Sequence, residues 1–138
     1  MKGLGNDDRL AARYFSFVEE GAALFEEKEY APALNCFWKA FRLRPSAPVV
    51  LFDIGRTMEM LEDPRAEHFY AAAATQGNID ALYQLATFCL HHGRSDEGIE
   101  HLKAFLKGSK GAKDKFTEWA QNMLQQLRPR PVLVRNKE

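Results

Sequence analysis

FVEEGAALFEEKEYAPALNCFWKAFRLRP, residues 17–45, is the stretch that decides the fold. Its apolar residues recur three and four positions apart, which places their side chains on one face of an α-helix. Gly21 in its first half lets a neighbouring helix approach closely, and Phe37 in its second half can fill that contact. Pro45 ends the second helix, because proline lacks an amide donor and clashes with the preceding turn. The stretch therefore predicts a helical hairpin.

The pattern of this hairpin returns along the chain. Small residues stand at equivalent points of four successive predicted helices, at intervals of 34, 31 and 34 residues: Gly21, Gly55, Ala86 and Ala120. The second-helix pattern of Ala33, Phe37 and Ala40 returns as Ala66, Tyr70 and Ala73 and, more weakly, as Gly98, Leu102 and Phe105. Each such hairpin leaves an apolar face that only the next one can cover. The sequence therefore predicts a stack of hairpins.

Residues 17–45 resemble a tetratricopeptide repeat and keep most of its signature positions, with Pro45 at the end. They depart from the family at Glu20, where a large aliphatic residue is usual. The link over residues 73–81 resembles that of the related Sel-type repeats, which accounts for the shorter interval. The resemblance covers residues 14–127. It implies an all-α fold, a right-handed α–α superhelix of three hairpins with a C-terminal capping helix.

This resemblance divides the chain into three parts. We expect an N-terminal arm over residues 1–13, a solenoid over residues 14–127 and a flexible tail over residues 128–138. Within the solenoid, the repeats are expected at about 14–46, 47–77 and 79–110, with the cap helix at 113–127. Terminal repeats need a polar outer face, and the cap helix would provide it.

Three turns have residues typical of helix starts. Pro64, preceded by Asp63, is predicted at the first position of the fourth helix, where proline costs no hydrogen bond. Asn78 and Ser95 are predicted to cap the fifth and sixth helices, since their side chains can accept from a free amide of the first turn. These caps agree with the division into hairpins.

The composition excludes several classes of partner. Nineteen basic and nineteen acidic side chains cancel, so the chain has no overall field to hold nucleic acid or an anionic membrane. No stretch approaches the ~18–20 apolar residues of a membrane span, and the N-terminus lacks the apolar core of a signal peptide. We expect a soluble, cytoplasmic protein with a protein or peptide partner, no nucleic acid and no membrane.

No constellation of residues points to catalysis. Cys36 and Cys89 lie on predicted apolar stripes, where a free cysteine behaves as a small hydrophobe. The histidines, among them the neighbours His91 and His92, have no carboxylate cluster at ligand spacing. The stretch over residues 108–111 lacks the full phosphate-loop spacing. We therefore predict no enzyme, no metal and no cofactor.

The resemblance implies that the first helix of each hairpin lines a concave groove. The inward positions are unusually apolar, as is typical of a partner-binding surface. The residues predicted to bind a partner are Phe15, Val18, Phe25, Val49, Phe52, Arg56, Tyr83, Thr87 and Leu90. Ala22, Phe25 and Phe52 replace the basic and amide side chains of the carboxylate clamp found in co-chaperone repeats, which argues against that function.

Three functions remain open on this sequence. The first is an adaptor or scaffold that binds a peptide or partner segment in the groove. The second is a small secretion or assembly chaperone with three tetratricopeptide repeats. The third is a structural protein that self-associates as a homo-oligomer. The N-terminal arm or the tail could also fill the groove.

Overall fold

The computed structural model describes residues 6–127, which form seven α-helices and no strand. The helices are α1 (Asn6–Glu26), α2 (Tyr30–Leu43), α3 (Pro48–Met60), α4 (Ala66–Thr75), α5 (Ile79–His91), α6 (Ser95–Ser109) and α7 (Lys115–Leu127). The most extensive contacts join α1 to α2, α3 to α4 and α5 to α6, and each hairpin packs on the next. The predicted stack of three hairpins followed by a further helix is confirmed.

The first two hairpins cross at a glycine. A Cβ added to Gly21 would lie 2.6 Å from a ring carbon of Phe37, and one added to Gly55 would lie 2.8 Å from a ring carbon of Tyr70. Real Cβ atoms do not approach so closely, because packed interiors leave no such space. The predicted pairing of a small residue with an aromatic is therefore confirmed in α1–α2 and α3–α4.

The third hairpin reverses this arrangement. Its close contact joins Gly98 of α6 to Leu90 of α5, whose Cδ2 lies 2.7 Å from where a Cβ of Gly98 would be. Here the second helix supplies the glycine and the first helix supplies the large side chain. The glycine at 98, which made this repeat the weakest match in sequence, is the small residue of this crossing.

A buried core runs through the first two hairpins into α5. Its largest members are Tyr14, Phe37, Val50, Ile54, Met58, Tyr70, Leu85 and Phe88. A second cluster joins α5, α6 and α7 through Ala86, Leu102, Phe105 and Ala120. The hydroxyl group of Tyr70 donates to Glu59 Oε1 at 2.6 Å. The hydrogen bond satisfies the polar end of a core residue. Burial and this hydrogen bond raise the pKa of Tyr70.

Of the three helix starts predicted from the sequence, one is confirmed. Asn78 caps α5, and its side-chain oxygen accepts from the amide of Ala81 at 3.0 Å. The prediction for Ser95 is wrong, because Ser95 is the first residue of α6 and Arg94 holds the cap position without a side-chain hydrogen bond.

The predicted start of the fourth helix at Pro64 is also wrong. Pro64 lies in a turn, and α4 begins at Ala66. The carboxylate of Asp63 accepts from the amide of Arg65 at 2.9 Å and also pairs with its side chain. The aspartate therefore closes a turn before the helix instead of capping it.

The two ends of the solenoid differ from the predicted boundaries. α1 begins at Asn6, so residues 6–13, predicted as an arm, are helical. Two acidic residues in its first turn favour this start through the helix dipole. α7 begins at Lys115, after Asp114 accepts from the amide of Thr117 at 2.8 Å. The rest of the predicted arm and the predicted tail, residues 128–138, lie outside the described residues.

Candidate partner-binding groove

Arg56 brings together predicted groove residues of the first two hairpins. Its guanidinium carbon lies 4.5 Å from the centre of the Phe25 ring and 5.3 Å from that of Phe52. A guanidinium over an aromatic face is attracted by the ring quadrupole. The contact joins α1 to α3 and holds the guanidinium at the end of a long, flexible side chain.

Asp53 holds the same guanidinium from the other side. Nη2 of Arg56 donates to Asp53 Oδ1 at 3.0 Å. Burial raises the pKa of Asp53, while Arg56 opposes this rise. Nε of Arg56 is buried and has no hydrogen-bond partner among residues 6–127. The arginine is thus oriented by its neighbours, and since a guanidinium carries five N–H donors, its Nη atoms keep donor capacity for a further group.

A pocket of about 190 Å³ opens beside Arg56. Its walls come from α3, α5, α6 and α7: Phe52, Arg56, Asp80, Tyr83, Gln84, Phe105 and Phe116. Tyr83 stands at its centre, with ring centres of Phe105, Phe116 and Trp119 at 5.5, 5.2 and 5.2 Å. We call this pocket, together with Phe25, the Arg56 pocket. It is an aromatic cavity whose wall also holds one cation, Arg56, and one carboxylate, Asp80.

Four of its wall residues were not among the predicted partner-binding residues: Asp80, Gln84, Phe105 and Phe116. Phe105 lies on the second helix of a hairpin, and the resemblance gave no reason to place it there. Phe116 lies on α7, which has the sequence pattern of a first helix, and 48% of its side chain is exposed. That pattern, applied to the capping helix as to the other first helices, could have identified Phe116.

Thr87 and Leu90 lie in a different depression. It has a volume of about 340 Å³ and is formed by α5, the start of α6 and α7. Leu90 is partly buried against Gly98 of α6. Since much of its surface is used within the third hairpin, it is not part of the Arg56 pocket.

Phe15, Val18 and Val49 form the remaining part of the predicted set. Phe15 and Val49 are each 54% exposed, and Val18 is half-buried against the core. The ring of Phe15 lies 5.3 Å from the guanidinium carbon of Arg44. None of the three lines the Arg56 pocket. The structure therefore gathers Phe25, Phe52, Arg56 and Tyr83 from the predicted residues.

The adjacent histidines His91 and His92 lie at the C-terminal end of α5. His92 stacks on Phe88 with ring centres 4.2 Å apart, and its Nδ1 lies 2.8 Å from the backbone oxygen of Phe88. The ring of His91 lies edge-on to that of His92, with ring centres 6.3 Å apart. Both are exposed. The pair completes the last turn of α5 and takes no part in the Arg56 pocket.

One group of potential metal ligands is present that the sequence did not indicate. Ligand atoms of Glu67, Cys89 and Glu97 lie within 4.8 Å of one another. Arg94 lies among them: its guanidinium pairs with Glu67, donates to Cys89 Sγ at 3.1 Å and approaches Glu97 at 3.3 Å. These contacts raise the pKa of Arg94, chiefly through Glu67. The space that an ion would need is filled by a guanidinium, so the group is an arginine-centred cluster.

Within residues 6–127, no helix combines the length and apolar character that a bilayer span requires. No family model matches the chain, and no curated protein matches its sequence.

Several solved structures resemble the chain closely in fold. The first tetratricopeptide domain of Spaghetti (RPAP3), bound to the HSP90 peptide SRMEEVD, is 17% identical with a TM-score of 0.73, over 84% of this chain and 90% of that one. The Sgt2 tetratricopeptide domain from Aspergillus fumigatus is 14% identical with a TM-score of 0.74, over 82% and 77%.

The Yersinia enterocolitica type III secretion chaperone SycD, in complex with a peptide of the translocator YopD, is 17% identical with a TM-score of 0.74. The match covers 91% of this chain and 96% of that one. At these identities the likeness establishes the fold. The chain is an all-α repeat protein with the tetratricopeptide-repeat fold, as the sequence predicted.

Proposed function

We propose that the chain is a non-enzymatic protein-binding module that receives a segment of a partner protein at the Arg56 pocket. The observation that carries this proposal is the aromatic cavity beside an arginine whose position is fixed on three sides. Aromatic side chains with a neighbouring arginine are the residue types that dominate binding energy at protein interfaces. The peptides bound by the RPAP3 domain and by SycD support a peptide ligand for this fold.

The charges around the pocket define the partner's chemistry. Asp53 offsets the charge of Arg56 and Asp80 stands in the wall, so the pocket does not gather several cations for one carboxylate. The apolar walls favour an aliphatic or aromatic side chain as the anchor. Arg56 would then donate to a backbone carbonyl or a single carboxylate of the same segment, since a guanidinium retains donors after one pairing. The proposed ligand is an extended or helical segment with an apolar anchor.

A chaperone for a secreted or assembling partner is the second candidate. The observation in its favour is the coverage of 96% of SycD by this chain, so the two are similar in extent as well as fold. A chaperone would keep its partner soluble, whereas an adaptor would only bind it. Co-expression with a candidate partner distinguishes the two by the amount of partner that stays soluble. Self-association is the third candidate, and light scattering of the purified chain measures it.

A displayed library of random peptides provides a direct test of the proposed groove. The purified chain is panned against the library, and selected peptides are measured by fluorescence anisotropy. We expect peptides with an apolar anchor whose affinity falls about tenfold, or about 1.4 kcal/mol, with Phe116→Ala. Leu61→Ala serves as the matched control, because Leu61 is similarly exposed, at 41%, and lies outside the pocket.

Circular dichroism confirms that both variants fold. Selected peptides that bind equally well to Phe116→Ala would contradict the location of the site. The absence of any selected peptide, together with a stable homo-oligomer, would favour self-association over partner binding.

A further inference from the structure

The charge of α2 differs from that of every other helix. α2 contains Lys39 and Arg42 and no aspartate or glutamate, whereas each of the other six helices carries at least one acidic residue. The whole chain has equal numbers of acidic and basic side chains. Helix α2 is therefore a basic element within a chain whose charges balance overall.

Two cations, Lys39 of α2 and Arg13 of α1, lie near the ring of Phe17. Lys39 Nζ lies 5.7 Å from the centre of the Phe17 ring, and the guanidinium carbon of Arg13 lies 5.9 Å from it. A pocket of about 390 Å³ opens here, lined by Arg13 and Phe17 of α1 and by Lys39, Arg42 and Leu43 of α2. We call it the basic pocket. It has three cations around a floor of one phenylalanine and one leucine.

These cations lack carboxylate partners within the part of the chain that the structure describes. Salt bridges there engage Arg56, Arg65, Arg94 and Lys103, and none engages Arg13, Lys39 or Arg42. Glu20 and Lys39 both lie near the Cys36 thiol. Three cations that line one pocket repel one another. An added anion would relieve this repulsion.

The basic pocket is separate from the Arg56 pocket. Its residues all belong to α1 and α2, whereas the walls of the Arg56 pocket come from α3, α5, α6 and α7. Phe17 and Leu43 have no part in the groove. A ligand of the basic pocket can therefore be held while the groove is occupied.

We infer that the basic pocket is a second binding site, for an acidic segment of a partner protein in which an aspartate or glutamate lies beside an apolar residue. Arginine binds a carboxylate through two parallel hydrogen bonds, and the pocket offers two arginines and a lysine. Phe17 and Leu43 give the apolar neighbour a surface, which inorganic phosphate could not use. The chain's balanced charge gives no overall field to hold a membrane or a nucleic acid.

The test uses two short fluorescent peptides, one with glutamates alternating with leucines and one with lysines in place of the glutamates. Anisotropy is measured with the wild-type chain, with Lys39→Ala plus Arg42→Ala, and with a control that removes two exposed lysines of α6, Lys103→Ala plus Lys107→Ala. All four side chains are exposed, and circular dichroism checks each fold. We expect the α2 variant to bind the glutamate peptide about tenfold more weakly, and added salt to weaken wild-type binding.

Three results would overturn the inference. Equal losses in the α2 and α6 variants would show general charge attraction. Equal binding of the lysine peptide would show that the leucines act alone. Displacement of the glutamate peptide by inorganic phosphate at similar concentration, or stronger binding to phosphatidylserine vesicles, would assign the pocket to a phosphate group or a membrane instead. A tenfold loss confined to the α2 variant and the glutamate peptide would support it.

Discussion

The first and third hairpins reach the same crossing with opposite side chains. In α1–α2, Gly21 on the first helix receives Phe37 from the second; in α5–α6, Gly98 on the second helix receives Leu90 from the first. Each crossing needs one small and one large residue. The small residue can come from the first helix or from the second, and the large residue then comes from the other. The exchange has a functional consequence, because Leu90 is used for packing while Phe25 at the equivalent end of α1 contacts Arg56. The Arg56 pocket therefore lies between α3 and α5–α7, and Leu90 has no part in it.

The largest difference between these hairpins is expected on removing the large partner. Phe37 is fully buried, so Phe37→Ala should lower the free energy of unfolding by about 3–5 kcal/mol. Leu90 is only partly buried, and Leu90→Ala should cost about 1–2 kcal/mol, below the range for a fully buried leucine. Urea denaturation measures both. Equal losses in the free energy of unfolding would show that the two large side chains contribute equally, which would contradict the difference between the hairpins.

A smaller difference is expected on enlarging the glycines. Gly21→Ala forces a methyl group against the ring of Phe37, which is held in the core, and should cost about 1–3 kcal/mol. Gly98→Ala meets the flexible end of Leu90 and gains about 1 kcal/mol of helix propensity, so its net effect should lie near zero. Thermal unfolding followed by circular dichroism compares them. A Gly98→Ala variant as unstable as Gly21→Ala would show that Leu90 cannot move.

The two predicted caps of the third hairpin, Asn78 before α5 and Ser95 at the start of α6, differ in their expected contribution to stability. Asn78→Ala should cost about 1 kcal/mol, because it removes the acceptor for the Ala81 amide. Ser95→Ala should change stability by less than about 0.5 kcal/mol, since Ser95 makes no capping hydrogen bond. Chemical denaturation resolves this difference. If Ser95→Ala lowered the stability as much as Asn78→Ala, Ser95 would be a helix cap after all, as the sequence predicted.

The smallest expected effect concerns pH at the groove. Burial raises the pKa of Asp53 in the folded chain above its ordinary value of 3.8. The stability that protonation of Asp53 contributes is therefore fully present below about pH 4 and is lost as the pH rises through the folded pKa. Asp53→Asn removes this titration, so wild type should lose stability relative to the variant over that rise. A constant difference between their unfolding free energies from pH 3 to pH 7 would contradict it.

The sequence predicted the parts of the fold that depend on neighbours in the chain. Helical periodicity and the spacing of Gly21, Gly55 and Ala86 were enough for three hairpins, and Asn78 was enough for one cap. Helix ends shift by one or two residues between equally good turns, which explains the errors at Pro64 and Ser95. The start of α1 was missed because its first turns carry few apolar residues.

The candidate sites depended on contacts between distant residues. Arg56 was predicted in the groove, but its two aromatic neighbours lie on different helices, and only the stack brings Phe25 and Phe52 to it. Arg94 pairs with Glu67 across 27 residues, and neither residue stands in a recognisable motif. The basic pocket likewise needs α1 against α2. Periodicity reports which face is buried, and it does not report which side chains meet there.

The central claim is that a partner segment binds at the Arg56 pocket and not at the end of the third hairpin. The most direct measurement is isothermal titration of a peptide selected on the wild-type chain, with Arg56→Lys and Leu90→Ala as the two variants. Arg56→Lys keeps the charge beside Asp53 and removes the planar group with its donors. The account predicts about tenfold weaker binding for Arg56→Lys and unchanged binding for Leu90→Ala. Unchanged binding for Arg56→Lys with a tenfold loss for Leu90→Ala would contradict it.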